Sequence, residues 1–122
     1  MLSCGISLSK DGPFMDAHAK EIFIRECALH RKIRWSRHAL GKLASMPFLV
    51  EDVEQALQQA EVIEDYPHLR RYLPDCLVLA FVPPRRPIHC VIALNEPHKY
   101  ILIVTVYVPD EQEWSDDWKT RK

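Results

Sequence analysis

Hydrophobic positions follow a helical period over the first half of the chain. Apolar residues recur at helical spacing from Ala19 through Ile22 to Cys27, which predicts a first helix. Asp16 and Ser36 are suitable N-caps for the first and second helices because their side-chain oxygens can accept a backbone N–H. A third helix is expected to begin at residue 50, because Glu51 and Asp52 lie in its first turn, where the helix dipole favours acidic side chains. The predicted helices are 16–31, 37–46 and 50–60.

After residue 60 the period changes to two, which is typical of strands. A short strand at 32–35 precedes this change. Pro83, Pro84 and Pro87 mark a turn, because the interior of a strand does not tolerate closely spaced prolines. Helices followed by strands predict an α+β domain, with N-terminal helices packed on one face of a twisted antiparallel β-sheet. The longer predicted strands are 61–66, 75–82, 87–94 and 100–108.

The last two strands differ in polarity between their faces. The uniformly apolar sets, which we expect to face the helices, are Ile88, Cys90, Ile92 and Leu94 in one strand and Leu102, Val104, Val106 and Val108 in the other. This assignment places His89, Thr105 and Tyr107 together on the opposite face. Trp114 and Trp118, four residues apart, are expected to share one face of a short helix that packs back on the domain.

Composition narrows the class of protein. The 122 residues provide one domain, which we place at 15–122 after a flexible lead-in at 1–14. The chain has only three glycines, too few for a Gly-rich phosphate-binding loop. No apolar run in the sequence is long enough to cross a membrane. The four cysteines and six histidines lack the spacing of metal ligands, so we predict no metal or other cofactor. Cysteine usage favours a reduced, cytoplasmic protein.

Charge is segregated along the chain although the formal net charge is only −1. Residues 20–42 hold seven Lys or Arg against two acids, whereas residues 51–65 hold six acids and no base. The basic stretch can attract an anionic partner such as RNA or an acidic protein segment. Two solvated faces of opposite sign explain the pattern equally well.

Metal-free RNA cleavage is the chemistry that fits the polar residues. It requires a base for the 2′-hydroxyl proton, an acid for the leaving 5′-oxygen, and cations around the phosphorane. His89 is the first candidate for proton transfer and His38 the second, with Lys42 as a cation and with Thr105 and Tyr107 beside His89. Expected RNA-binding residues are Ser36, the phosphate contacts Arg70, Arg71 and Arg86, and Trp35, Tyr66 or Tyr72 stacked on a base.

Each of these residues also fits an ordinary structural role. A histidine near a helix start commonly makes a structural hydrogen bond, and an arginine pair in a loop is usually solvated. Thr and Tyr are good strand formers. If His89 has only a structural role, it does no more than form a hydrogen bond with Tyr107.

Five segments carry a family resemblance: "IRWSRHALGKL" (33–43), "VEDVEQALQQAEVIEDYP" (50–67), "CLVLAF" (76–81), "RPIHCVIAL" (86–94) and "ILIVTVYVPDEQEW" (101–114). In this order they resemble domain-of-unknown-function family 4258. The Pro-Ile-His and Thr-Val-Tyr-x-Pro segments are the most specific. The resemblance covers 33–122 and leaves 1–32 outside.

The resemblance implies a toxin of a prokaryotic toxin–antitoxin pair with a RelE-like fold, and hence an mRNA endoribonuclease. It also implies a partner, an antitoxin of the zinc-finger/helix-turn-helix type, which we expect to cover the polar face. Many members carry Arg in place of Lys42 and of Met46, so this chain loses a bidentate fork and a charge. The alternative is a non-catalytic module that binds a protein through its sheet face or edge. The family's polar residues fall on Ser36, His38, Lys42, His89, Thr105 and Tyr107.

Overall fold

A computed structural model describes residues 15–67 and 73–122. Its helices are α1 (Ala17–Leu29), α2 (Arg37–Leu43) and α3 (Val50–Ala56), the last continued by a 3-10 turn at Leu57–Gln59. Both predicted N-caps are confirmed: Asp16 accepts the N–H of Ala19 at 2.8 Å, and Ser36 accepts that of Ala39 at 2.9 Å.

The helix α2 is three residues shorter than the predicted 37–46. Pro47 disfavours helical geometry at the residue before it. In addition, the Ser45 hydroxyl donates to the Lys42 carbonyl at 2.9 Å, which satisfies an end group of the helix. The chain therefore leaves the helix within one turn of the expected position.

The strands are β1 (Ile33–Trp35), β2 (Glu61–Asp65), β3 (Cys76–Val82), β4 (Arg86–Asn95) and β5 (Tyr100–Tyr107). They form one sheet in the order β1-β5-β4-β3-β2. The pairs from β2 to β5 are antiparallel, as expected, whereas β1 joins the edge parallel to β5. The sheet is therefore mixed, because α1 delivers the chain to that edge in the direction in which β5 runs.

All three helices supply buried residues to one core on a single face of the sheet, which makes the domain α+β. Within α1 the buried apolar residues are Ile24, Cys27 and Ala28, whereas Ile22 is 49% exposed. The apolar set from Ala19 to Cys27 that predicts α1 therefore misplaces Ile22. Apolar residues occur at 22, 23 and 24 in succession, so the periodicity admits more than one phase.

A β-bulge changes which side of β5 faces the helices. Ile103 pairs with Ile92 and Thr105 pairs with Val91, so Val104 is the extra residue. As a result Ile101 and Ile103 face the helices, and the prediction for Leu102 and Val104 is wrong, although Val106 lies as expected. The prediction for Val108 is also wrong, because β5 ends at Tyr107 and Val108 is half exposed beyond it. Ser36 stabilises the bulge, because its hydroxyl donates to the Val104 carbonyl at 2.8 Å.

Residues 109–122 pack across the other face of the sheet without forming a helix. Trp114 is 2% exposed and pairs with Arg121 in an isolated antiparallel bridge. Trp118 has a φ of 64°, and the carboxylate of Asp117 accepts the N–H of Lys119, a local bond that competes with helix formation. The expected packing of this segment is confirmed, and the expected helix is wrong. We call residues 109–122 the C-terminal strap.

Candidate functional site

His89 lies at the centre of the sheet face opposite the helices. Strand β4 places it beside Leu79 of β3 and Tyr107 of β5. Thr105 lies on the same face, opposite Val91. The tertiary structure thus brings His89, Thr105 and Tyr107 to one face, as the alternation of the strands predicts.

Both ring nitrogens of His89 have partners. Nε2 lies 2.8 Å from the carbonyl oxygen of Trp118, and Nδ1 lies 3.1 Å from the Tyr107 hydroxyl. Because a carbonyl only accepts, Nε2 carries a proton and donates it, and in the neutral ring Nδ1 accepts from Tyr107. The Trp114 ring meets the imidazole edge to face at 4.4 Å between centroids. The side chain is completely buried, so it cannot reach a substrate while the strap is in place.

Two ion pairs fasten the strap to β2. Arg121 contacts both carboxylate oxygens of Glu64, at 2.7 and 3.3 Å, and Lys119 lies 3.1 Å from Glu61. The Arg121 guanidinium also stacks over the Trp114 ring at 4.7 Å. Both pairs are partly solvated, so each contributes little stability, and burial of the Trp114 side chain stabilises the strap more than either pair does.

The electrostatics around His89 favour a neutral ring. Burial lowers the pKa of His89, and the bond to the Trp118 carbonyl only partly opposes this. Burial likewise raises the pKa of Tyr107. The hydrogen bond from Arg121 holds the pKa of Glu64 below its usual value, and burial, with a bond to Glu64, raises the pKa of Tyr66 to about 12. Tyr66 is therefore a hydroxyl donor to Glu64.

A second polar surface lies at the opposite edge of the sheet, where β1 leads into α2. His38 and Lys42 are exposed and share one helix face, since they are four residues apart. A Cβ atom added at Gly41, between them, would meet nothing within 4 Å, so this face is open. We call the exposed basic residues Arg34, Arg37, His38 and Lys42 the α2 edge.

The α2 edge carries net positive charge. Within residues 15–67 and 73–122, none of its four side chains pairs with a carboxylate. Arg34 stacks over the Tyr100 ring at 4.2 Å from the centroid. The cations Arg34, Arg37 and Lys42 on this surface keep their field available for an anionic ligand.

The remaining predicted residues are dispersed. Trp35 donates its indole N–H to Glu54 at 2.8 Å, and Ser36 caps α2, so both serve the structure directly. Arg86 stacks over Phe48 at 4.7 Å and donates to the Pro83 carbonyl at 3.0 Å. Arg70, Arg71 and Tyr72 lie outside the described residues, as do residues 1–14.

Sequence patterns do not reveal the strap's contribution to this site. The acceptor for His89 is a backbone carbonyl, which any residue at position 118 supplies equally. Trp114 is the residue that indicates packing of this segment, because a tryptophan in an otherwise polar tail is usually buried, as it is here. The contact of Arg34 with Tyr100 depends on the parallel pairing of β1, which spacing does not indicate.

Metal-ligand clusters and membrane-spanning helices are both absent from the described part of the chain. No group of three or more His, Cys, Asp or Glu side chains there could hold a metal ion. None of the helices there is both long and apolar enough to cross a membrane.

The fold and site define a small α+β domain with a basic helix edge and a histidine sealed under a C-terminal strap. The chain belongs to the family described as Domain of unknown function (DUF4258), whose model matches residues 35–108. The family resemblance is therefore confirmed, and both α1 and the strap lie outside the matched range. No curated protein and no solved structure matches the chain.

Proposed function

We propose that this chain is the toxin of a prokaryotic toxin–antitoxin pair, an mRNA endoribonuclease that binds its substrate at the α2 edge. The observation that carries the proposal is the exposed pair His38 and Lys42, which lies beside Arg37 with no carboxylate partner among the described residues. Backbone phosphates are the natural ligands of such a surface. The family resemblance supports RNA as the source of those phosphates.

In the proposed reaction His38 accepts the 2′-hydroxyl proton of the substrate. The 2′-oxygen attacks phosphorus, the bond to the 5′-oxygen breaks, and water protonates the leaving oxygen while the hydroxide so formed takes the proton from His38. Lys42 and Arg37 stabilise the charge on the phosphorane, so the step needs no metal. His89, our first candidate from sequence, takes this role only in a conformation in which the strap has moved away.

One observation favours a different function. Both nitrogens of His89 are engaged and the ring is fully buried, which is the arrangement of a structural histidine. A non-catalytic domain that binds a protein would need nothing more from His89 and Tyr107. In that case the α2 edge receives an acidic protein segment instead of RNA.

Gly41 offers a clean test, because a side chain there meets open space between His38 and Lys42. We expect Gly41→Glu to weaken RNA binding and cleavage strongly, while the uncharged isostere Gly41→Gln leaves both close to wild type. His38→Ala should slow cleavage by a factor on the order of 10² to 10⁴ with the fold intact. The assay uses the purified full chain on mixed RNA, with and without a chelator.

Each function gives a different result. A ribonuclease at this site cleaves RNA in the presence of chelator and loses activity on His38→Ala. A chain that leaves RNA intact, and whose Gly41→Glu variant behaves like Gly41→Gln, refutes the ribonuclease and supports the binding module. If His38→Ala still cleaves RNA while His89→Ala does not, at a temperature at which circular dichroism shows both variants to be folded, the reaction takes place on the strap-covered face instead.

The proposal includes a cytoplasmic partner, an antitoxin of the zinc-finger/helix-turn-helix type. An acidic segment of such a partner would neutralise the α2 edge and keep the toxin silent. Coexpression of the chain with the product of its neighbouring gene tests this. The two should copurify, and charge reversal at Arg37 and Lys42 should release the partner.

A further inference from the structure

An apolar groove lies beside α1, lined by that helix and by Lys32 and Lys99 from outside it. Its volume is about 460 Å³, and its apolar lining comes from Met15, Ala19, Ile22, Phe23 and Cys27. Burial raises the pKa of the Cys27 thiol to about 11, so at neutral pH it contributes as a small apolar group. A pocket of this size and character is large enough to receive several side chains of a ligand.

The apolar stripe extends beyond the groove along the same helix face. Ile22 and Leu29 are seven residues apart on α1, which places them in line on one face of the helix. Ile22 is 49% exposed and Leu29 is 55% exposed. Regular spacing of exposed apolar residues along a helix is the surface that a second helix packs against.

Basic side chains border one end of the groove. Lys32 and Lys99 are both exposed, and neither pairs with a carboxylate within the described ranges. Glu26, the acid of the lining, lies 3.6 Å from His30. The backbone N–H of Lys32 donates to the Cys27 carbonyl at 2.8 Å, so the main chain at this lysine is held against the end of α1.

We propose that this groove docks an amphipathic helix of a partner protein, with apolar side chains on one face and Asp or Glu positioned to meet Lys32 and Lys99. The proposal is independent of RNA cleavage at the α2 edge. Charge complementarity selects the occupant. Residues 1–14 contain one lysine and one aspartate, so they offer no acidic excess to the two lysines.

A second copy of the chain is also a poor match. Helix α1 carries as many basic residues as acidic ones, Lys20 and Arg25 against Glu21 and Glu26. The acidic helix α3 has apolar residues, but Val53 and Leu57 at its inner side are completely buried in its own core. Its apolar face is therefore not available to a neighbouring molecule.

Two synthetic helical peptides test the proposal on the full chain. They share apolar residues at positions i, i+3 and i+7 and differ only in their flanking residues, which are Glu in one and Lys in the other. Fluorescence anisotropy should detect binding of the Glu peptide and binding about three- to tenfold weaker for the Lys peptide, as expected for two surface ion pairs. The double variant Lys32→Glu/Lys99→Glu should reverse that preference.

Substitutions locate the binding surface. Ile22→Glu should abolish binding without unfolding the chain, because Ile22 is half exposed. Leu40→Glu is the matched control, since Leu40 is 45% exposed on α2, and it should bind like wild type. The proposal is overturned if neither peptide binds, if both bind equally, or if Leu40→Glu weakens binding as much as Ile22→Glu. A dimer in sedimentation that Ile22→Glu dissociates would assign the groove to a second copy instead.

Discussion

Replacement of His89 by alanine should destabilise the protein severely. The change removes hydrogen bonds of 2.8 Å to Trp118 and 3.1 Å to Tyr107, each with a net value of about 1 kcal/mol. It also removes the edge-to-face contact with Trp114, about 0.5–1.5 kcal/mol, and leaves a cavity under the strap that costs about 1–2 kcal/mol more. Together these give an expected loss in the free energy of unfolding of roughly 3.5–5.5 kcal/mol.

Thermal unfolding converts this loss into a measurable shift. A chain of 122 residues has an unfolding entropy of about 0.26 kcal/mol/K, so the melting temperature should fall by roughly 13–21 °C. Urea unfolding gives the free energy directly. Amide exchange in residues 113–122 should also accelerate, because the strap loses its central contact.

Two comparison variants make this prediction specific. Tyr107→Phe leaves Nδ1 of His89 buried without a partner and should cost about 1–3 kcal/mol. His98→Ala, at an exposed turn position, should change stability by no more than about 0.5 kcal/mol. If His89→Ala melts within about 4 °C of wild type, the shift expected for 1 kcal/mol, the sealed arrangement contributes no stability and our reasoning is refuted.

Three further predictions concern pH, a cap and an ion pair. Burial lowers the pKa of His89 below its ordinary value of 6.5. The contribution of His89 to the free energy of unfolding is therefore complete above pH 6.5 and is lost as the pH falls from there through the pKa of the folded protein. In urea unfolding measured between about pH 5 and 8, His89→Phe should remove this dependence of the midpoint on pH. Ser36→Ala removes both the α2 cap and the donor to the Val104 carbonyl, so urea unfolding should show a free energy of unfolding lower by about 1–2 kcal/mol. An unchanged free energy would contradict the stabilising role given to Ser36. Glu64→Gln should cost about 0.2–1 kcal/mol, less at high salt, and should speed amide exchange around Arg121; unchanged exchange would mean that the pair does not hold the strap.

Local chemistry is enough to predict the helices and strands up to residue 107 and one part of the candidate site. The change of hydrophobic period near residue 60 separates helices from strands because it depends only on side-chain direction along the backbone. The caps at Asp16 and Ser36 are likewise contacts over three residues. Alternation in β4 and in the last residues of β5 was sufficient to bring His89 and Tyr107 to one face.

Contacts between distant segments decided the remainder. Periodicity cannot locate the bulge at Val104, where one extra residue reverses the faces of β5, because the bulge is stabilised by Ser36, 68 residues away. Nor does a pattern show that the Trp118 carbonyl seals His89, 29 residues earlier, since a backbone acceptor leaves no mark in the sequence. The sequence by itself therefore determined the helices and strands up to residue 107 and which polar residues the strands present. Tertiary packing alone decided that His89 is enclosed while His38 remains open to solvent, because burial depends on which distant segment covers each residue.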